Sequence, residues 1–191
     1  MNYDLEKMKE LQECAIKMNV IGKTLGVRNI HDKDKWKELI IGSILNDTVF
    51  DKASGEEKGA DARNNVTGNL HEYKSTELLS ERHFHAFLES VVDGTETKCT
   101  SMTYNNGYNR ENVESYRNIR HYNAVWYGAQ IIAITWVYSD HVCSDLMKRV
   151  ILTENGKIYK STNGNGASVH YENGGVRENE GEIVYLNDIR K

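Results

Sequence analysis

The fold is decided by residues 59–76, which read GADARNNVTGNLHEYKST. Residues 59–66 and 68–76 are each the length of a strand, and only Thr67 and Gly68 separate them. Two strand-like runs joined by so short a connection, with a glycine in it, are typical of a β-hairpin. The stretch therefore predicts a hairpin whose second strand carries the charged run HEYK.

The predicted hairpin brings charged side chains to one face of a sheet. Side chains two residues apart on a strand point to the same face, so Glu72 and Lys74 lie opposite to Tyr73. Pairing of the two strands brings Asp61 near Glu72. Two adjacent carboxylates are stable when a cation joins them, and hard oxygen ligands suit Mg²⁺. We therefore expect a magnesium site here, with Lys74 positioning an attacking water or neutralising a phosphoryl transition state.

This arrangement resembles the PD-(D/E)xK phosphodiesterase superfamily, which includes most type II restriction endonucleases and several resolvases and repair nucleases. The first motif element reads GAD at 59–61, with alanine where the family name has proline, and the second reads EYK at 72–74. The resemblance implies a restriction-endonuclease-like core. By this resemblance, the metal ligands are Asp61, Glu72, the backbone carbonyl of Tyr73 and, on a preceding helix, Glu38, and the catalytic lysine is Lys74.

The Glu-x-Lys pattern occurs at 56–58, 72–74 and 96–98, so the context of each copy decides between them. Asp47 precedes the first copy by a distance that the motif permits, but that copy lies in the polar stretch 46–59. The third copy follows a turn and has no aspartate at a useful distance. Only the middle copy sits in a strand-like run after Gly-Ala-Asp. Its alternative interpretation is a solvated charge pair on an edge strand, which contributes about a few tenths of a kcal/mol.

Apolar spacing predicts the remaining elements. Spacings of three and four residues predict helices at 3–19, 32–45, with Asp32 as the N-cap, 78–92 and 140–152. The most apolar run, 124–138, predicts one or two central strands. The tail predicts short strands at 157–161, 168–171 and 182–186. This order predicts an α/β fold in which helices flank a mixed central sheet.

The chain of 191 residues is expected to form a single nuclease domain. Its predicted parts are a helical extension at 1–31, a catalytic core at 32–152 and a small β tail at 153–191. The helical extension is either a dimer surface or a helix packed on the core, and both interpretations remain open at this stage.

The segment 100–123 is dominated by Asn, Tyr and Arg and holds few residues that could form a core. Arg can bond guanine, Asn can bond adenine and Tyr can bond phosphate, so the segment has the side chains of a DNA-reading loop. The alternative is a surface loop in an Asn-rich protein. The predicted base and phosphate contacts are Arg110, Arg117, Asn118, Arg120, Lys148 and Lys160.

Composition excludes several classes of protein. The net charge of −4 argues against a protein that only coats nucleic acid. Cys14, Cys99 and Cys143 are far apart and odd in number, which indicates reduced structural thiols. Neither a zinc-protease HExxH motif nor a phosphate-binding glycine loop is present. With no long apolar run and no signal-like start, we expect a cytoplasmic protein, of a prokaryote or a phage, without a membrane partner.

Taken together, these features predict a Mg²⁺-dependent, sequence-specific endonuclease of the type II restriction kind that cuts double-stranded DNA. A homodimer is the simplest assembly for cutting both strands of a palindrome. One alternative is a junction or repair nuclease of the same superfamily, which needs fewer base-reading groups. The other is a non-catalytic binding protein whose carboxylates are surface charges.

Overall fold

The computed structural model describes residues 4–31, 34–51, 59–92, 101–104, 109–155, 167–170 and 183–187. The helices in these residues are α1 (Leu5–Thr24), α2 (Lys35–Leu45), α3 (Glu81–Val92), α4 (Arg110–Ser115) and α5 (Ser139–Glu154). The strands are β1 (Asp47–Val49), β2 (Ala62–Asn64), β3 (Leu70–Glu77), β4 (Ser101–Tyr104), β5 (Ile119–Tyr127), β6 (Gln130–Val137), β7 (Ala167–His170) and β8 (Ile183–Leu186). The chain is thus mixed α/β, with helices flanking a six-stranded mixed sheet.

The large sheet has the strand order β1-β2-β3-β5-β6-β8, and β4 pairs with β7 in a separate two-stranded sheet. Strands β1, β2 and β3 form an antiparallel meander in which Val49 pairs with Ala62 and Ala62 with His71. Strands β3 and β5 are parallel, with Lys74 opposite Asn123. Parallel neighbours need a crossover connection, and this one contains α3, β4 and α4. Strand β3 is therefore an interior strand with a neighbour on each side.

Apolar side chains cover the sheet on both faces. On one face, Ile41 of α2 packs with Tyr73 and Trp126. On the other face, Leu146 of α5 packs in the same cluster as Ile119. Burying a large apolar side chain stabilises the fold by roughly 1.5–3 kcal/mol. Helices on both faces enclose the middle of β3, so polar side chains there need partners within the protein.

Most predicted elements are confirmed. The predicted hairpin is present as the antiparallel pair β2 and β3, but its first strand covers only Ala62–Asn64 and its connection is residues 65–69, longer than the predicted Thr67 and Gly68. The four predicted helices correspond to α1, α2, α3 and α5. Two tail strands appear as β7 and β8, whereas the strand predicted at 157–161 lies outside the described residues. The predicted N-cap Asp32 also lies outside them, and α2 begins after Asp34.

The segment predicted as a DNA-reading loop, 100–123, is largely regular structure in its described part. It contains β4, α4 and the first residues of β5. Strand β5 begins at Ile119 and not near 124 because its polar residues pair with β3, where His121 lies opposite Glu72. Pairing with a neighbouring strand here overrides a sequence that is too polar to be recognised as a central strand.

Helix α1 extends beyond the predicted end at residue 19. It continues to Thr24, and Gly26 follows with a φ of 76°, a conformation that favours glycine. The chain then turns back, so that Ile30 packs closely on Gly22. In the part of the chain that the structure describes, no helix is both long and apolar enough to span a bilayer.

Candidate active site

Asp61 lies immediately before β2 and is almost fully buried. Its backbone N–H donates to the carbonyl of His71 over 2.8 Å, and its carbonyl accepts from the N–H of Phe50 over 2.8 Å. Its side-chain Oδ2 accepts a hydrogen bond from the N–H of Tyr73 at 2.8 Å. The end of the β2–β3 ladder thus fixes this carboxylate against the backbone of β3.

Glu72 and Lys74 share one face of β3, as the sequence predicts, and Glu72 is buried. The ammonium of Lys74 donates to Oε1 of Glu72 and lies 4.7 Å from the ring centroid of Tyr104. Burial lowers the pKa of Lys74, but the charges of Glu72 and Asp61 outweigh it and raise that pKa above its usual value. Asp61, Glu72 and Lys74 therefore form one charged cluster, with Lys74 as a cation.

The solvated edge-strand interpretation of Glu72 and Lys74 is wrong. Strand β3 lies between β2 and β5, and the side chains of Glu72 and Lys74 are only 8% and 19% exposed. Burying charged groups costs free energy unless they are paired. Glu72 and Lys74 therefore offset this cost by pairing with each other inside the protein.

His121 supports the cluster from β5 and was not predicted from the sequence. It lies opposite Glu72 and is fully buried. Its Nε2 lies 3.1 Å from the carbonyl of Tyr116, which can only accept, so Nε2 carries the proton. Nδ1 is then the acceptor for the hydroxyl of Tyr104 at 2.8 Å. Burial is the main cause that lowers the pKa of His121 to about 4, so the imidazole is neutral near pH 7.

The oxygen atoms near this cluster include those that Mg²⁺ prefers as ligands. Asp61 and Glu72 offer two hard carboxylates, and Mg²⁺ is typically held by one or two carboxylates, with waters and phosphate oxygens completing its shell. A strand residue directs its N–H and C=O to the same side. The carbonyl of Tyr73 therefore points to the side on which its N–H meets Asp61. These donors fit Mg²⁺ by their chemistry.

Glu38, the predicted additional ligand, lies on the first turn of α2. Its Oε2 accepts from Nζ of Lys35 at 2.6 Å, and the same Nζ donates to the carbonyl of Phe50, also at 2.6 Å. The backbone N–H of Phe50 in turn donates to the carbonyl of Asp61. Among the described residues, no group of three His, Cys, Asp or Glu side chains is arranged to hold a metal ion.

A second buried polar cluster lies on the opposite face of β3. The side chain of Asp47 on β1 is fully buried, and its Oδ2 accepts from Nδ1 of His71 at 2.6 Å and from the hydroxyl of Tyr73. Its Oδ1 accepts from Nδ2 of Asn64 at 2.7 Å. Burial and the neighbouring Asp47 raise the pKa of Tyr73 above its usual value, so the phenol keeps its proton.

Sequence reasoning considered Asp47 only as a partner of the polar copy 56–58, and missed the role just described. The run Thr48, Val49 and Phe50 that follows it is a short strand-like signal in a stretch predicted as a loop. That signal could have placed Asp47 on a strand beside the hairpin, but not beside His71.

The described members of the predicted DNA contacts lie on the surface of α4, the turn at 116–118, the start of β5 and α5. Arg110 holds Glu154 with two hydrogen bonds, at 3.1 and 2.7 Å, and Arg117 holds Glu114 at 2.7 and 2.8 Å. Lys148 donates to Asp145 at 2.7 Å. Asn118 is exposed, as is Arg120, which hydrogen-bonds the side chain of Tyr122. Lys160 lies outside the described residues.

The chain was compared with models of known protein families and with curated proteins, and nothing matches it in either comparison.

Proposed function

We propose that the chain is a Mg²⁺-dependent endonuclease of the PD-(D/E)xK type, built on a restriction-endonuclease-like core, and that it hydrolyses phosphodiester bonds of double-stranded DNA. The observation that carries the proposal is the buried cluster of Asp61, Glu72 and Lys74 on one face of β3. The spacing of the motif and the hairpin that bears it are both present.

The catalytic roles follow from the positions of the groups. Asp61, Glu72 and the carbonyl of Tyr73 would hold Mg²⁺, with Glu38 as a further candidate. When bound there, Mg²⁺ supplies a water of lowered pKa and stabilises negative charge on the phosphate. The ammonium of Lys74 can donate to a phosphate oxygen as that charge develops.

In the reaction itself, the oxygen of water bonds to phosphorus and one P–O ester bond breaks. The leaving alkoxide takes up a proton, which yields one phosphate end and one hydroxyl end. The Tyr104–His121 pair packs beside Lys74 and, being neutral, adds no charge that would compete with the phosphate. We assign it a supporting role.

The DNA-binding surface in this proposal consists of α4, α5 and the start of β5, with Arg110, Arg117, Asn118, Arg120 and Lys148. A second copy of the chain would bring a second cluster for the other strand. A cytoplasmic location in a prokaryote, or encoded by a phage, follows from the same proposal.

A junction or repair nuclease of the same superfamily is the second candidate, and one observation favours it. Arg110 and Arg117 each donate two hydrogen bonds to a carboxylate of the same chain, on Glu154 and Glu114. Reading guanine takes the same fork of N–H donors, so these arginines would first have to leave their partners. A structure-specific enzyme depends less on such contacts.

Cleavage of DNA tests the proposal directly. The purified full chain is incubated with supercoiled plasmid, unmethylated phage DNA and a four-way junction, each with Mg²⁺ and with EDTA. We expect Mg²⁺-dependent cleavage that is lost in Lys74→Ala and retained in Arg82→Ala, a change of an exposed cationic side chain on α3. Discrete bands from phage DNA support the restriction type, and cutting of the junction alone supports the second candidate. Intact DNA in every reaction, with the protein folded, would leave the binding-protein interpretation.

A further inference from the structure

Helix α1 exposes an apolar stripe along its length. Leu11 is 63% exposed, Ile21 54% and Leu25, at the C-terminal cap, 57%. Cys14 is a free, exposed cysteine, and Met18 is partly exposed. Apolar side chains scattered singly on a surface are ordinary, but a contiguous row on a helix of 20 residues marks an interaction surface. The structure therefore disfavours the interpretation of this helix as one packed on the core.

The described part of the chain contacts α1 along one edge of this stripe, at Gly22 and Ala15, which lie about 20° and 40° from Leu11 around the helix. The turn after the helix runs back along it, so that Ile30 covers Gly22 and the ring of His31 lies 3.3 Å from the carbonyl of Ala15. These contacts anchor the helix and leave Leu11 and Ile21 exposed. The apolar stripe is thus held in a defined place by its own turn.

The stripe has the spacing of a coiled-coil seam. Leu11, Cys14, Met18, Ile21 and Leu25 follow one another at intervals of three, four, three and four residues. At 3.6 residues per turn they fall within about 80° of the helix circumference. In an antiparallel pair of such helices, Leu11 meets Ile21 of the second copy and Cys14 meets Met18 of the second copy. The pairs of side chains that meet along the centre of the two helices are then all apolar.

The charges on α1 are complementary to those of a second, antiparallel copy. Residues 4–13 carry four acidic and two basic side chains, for a net charge of −2. Residues 14–25 carry only Lys17 and Lys23, for a net charge of +2. An antiparallel pair sets each negative half beside a positive half and opposes the two helix dipoles. A parallel pair would set like halves together and Lys7 against Lys7.

We propose that α1 is a homodimer interface, in which it pairs antiparallel with α1 of a second copy across a two-fold axis. The spacing and the charges are self-complementary, as a two-fold interface requires. A lipid surface fits less well, because helices that bind anionic membranes carry a polar face rich in Lys and Arg. The side of α1 away from the stripe mixes Glu6, Glu10 and Glu13 with lysines and with the exposed Ile16 and Val20.

The interface would also relate the two candidate active sites, and this part rests on the proposed function. Arg28, just after α1, lies 3.4 Å from the carboxylate of Asp51, and the neighbouring Phe50 is bonded to Asp61. Pairing of the α1 helices would therefore bring two Asp61-bearing segments into one two-fold dimer, as cutting both strands of a duplex requires.

The oligomeric state of the full chain tests the interface by light scattering after gel filtration. We expect a dimer of about 44 kDa, twice the 21.9 kDa of the chain. The double variant Leu11→Glu/Ile21→Glu should be monomeric with an unchanged circular dichroism spectrum. Its matched control is Ile16→Glu/Val20→Glu, because these side chains are 54% and 58% exposed but lie on the opposite side of the same helix. The control should remain dimeric.

Disulfide formation tests the direction of pairing. Under mild oxidation, Met18→Cys should form a cross-linked dimer, with peptide mapping showing Cys14 bonded to the new cysteine of the other copy. The wild-type chain should not cross-link through Cys14, and Cys14→Ser/Met18→Cys should lose the cross-link. A dimer of the wild-type chain bonded through Cys14 of both copies would overturn the antiparallel register.

The outcomes separate this proposal from the proposed function. A monomeric wild-type chain, or a dimer that persists in Leu11→Glu/Ile21→Glu, overturns the interface whatever the chain does to DNA. Membrane or heterologous binding by a monomer would count as the same refutation. A dimer that leaves every DNA substrate intact overturns the nuclease and leaves the interface standing.

Discussion

The two faces of β3 carry polar clusters that differ in access and in charge. On one face, the oxygens of Asp47 accept from His71, Tyr73 and Asn64, and the side chain has no exposure. On the other face, the ammonium of Lys74 donates to Glu72 and interacts with the charge of Asp61, and the Lys74 side chain is 19% exposed. A fully buried cluster of this kind ties strands together, whereas a charged cluster that keeps some exposure is accessible to a ligand. Under the proposed function, we therefore expect Asp47 to contribute to stability and the face of Lys74 to carry the chemistry.

The largest expected effect comes from replacing Lys74 by methionine. Lys74→Met should lower the rate of DNA cleavage about 10²–10³-fold, the usual loss when a group that stabilises transition-state charge is removed. The matched control is Lys37→Met on α2, because Lys37 is also buried and pairs with Glu77 at 2.5 Å. We expect the control to lower stability and keep the rate per folded molecule. Equal losses of rate in the two variants would break the comparison.

Removing Asp47 tests the closed face. Asp47→Ala leaves the buried donors of His71 and Tyr73 without their acceptor, whereas Asn64 keeps the carbonyl of Leu45, and should lower the free energy of unfolding by about 3 kcal/mol. The cleavage rate of the protein that remains folded should not change. Urea denaturation measures the first quantity, and Asp51→Ala, at a partly exposed carboxylate, serves as the control. A loss of activity without a loss of stability would reverse the roles of the two faces.

The open face should also show a pH dependence of stability. The pKa of His121 is about 4 in the fold, below its ordinary value of 6.5, and the charged or titratable groups that face it are Lys74, Asp61, Tyr104 and Tyr116. The unfolded chain therefore binds more protons between these values. The stability that the neutral His121 contributes is complete above pH 6.5 and is lost as the pH falls to 4. The free energy of unfolding should fall by at most about 3 kcal/mol over this range.

This pH dependence is measured as the difference between the wild-type chain and His121→Gln. Urea unfolding at several pH values between 4 and 7 should give a shallower slope for the variant, by up to one proton. Carboxylates elsewhere titrate equally in both proteins and cancel in the difference. Identical slopes would show that His121 is not held neutral.

The smallest expected effect concerns the outer surface, away from both faces of β3. If Arg110 contacts DNA phosphate, Arg110→Ala should reduce the slope of log affinity against log salt by about one. Its pairing with Glu154 limits the change in affinity itself. Arg82 on α3 is exposed and is not among the predicted contacts, so Arg82→Ala is the control. Filter binding at several salt concentrations would measure both, and equal slopes would remove Arg110 from the binding surface.

The hairpin and its charged face were predictable because they depend on local sequence. Alternation along residues 70–77 determines which side chains share a face, and a short glycine-containing connection favours pairing of the two flanking strands. Asp61, Glu72 and Lys74 are brought together by these two rules alone. The helices were predictable for a similar reason, since each has apolar spacing that needs no knowledge of its neighbours.

The supporting residues were not predictable in this way. His121 meets the cluster only because β5 runs parallel to β3 after a crossover of more than forty residues. Asp47 was separated from His71 by a stretch that read as a polar loop. The surface arginines had the composition of a DNA-reading loop, but their pairing with Glu114 and Glu154 depends on how α4 and α5 form and pack.

The sequence by itself therefore determined the mixed α/β class, the hairpin and the face on which Glu72 and Lys74 lie. Tertiary structure decided that β3 is an interior strand, that its second face is closed by Asp47, and that α1 leaves its apolar stripe exposed. The reason is the range of the interactions. Periodicity and turns act between residues close in the chain, whereas burial and strand pairing join residues that only the folded chain brings together.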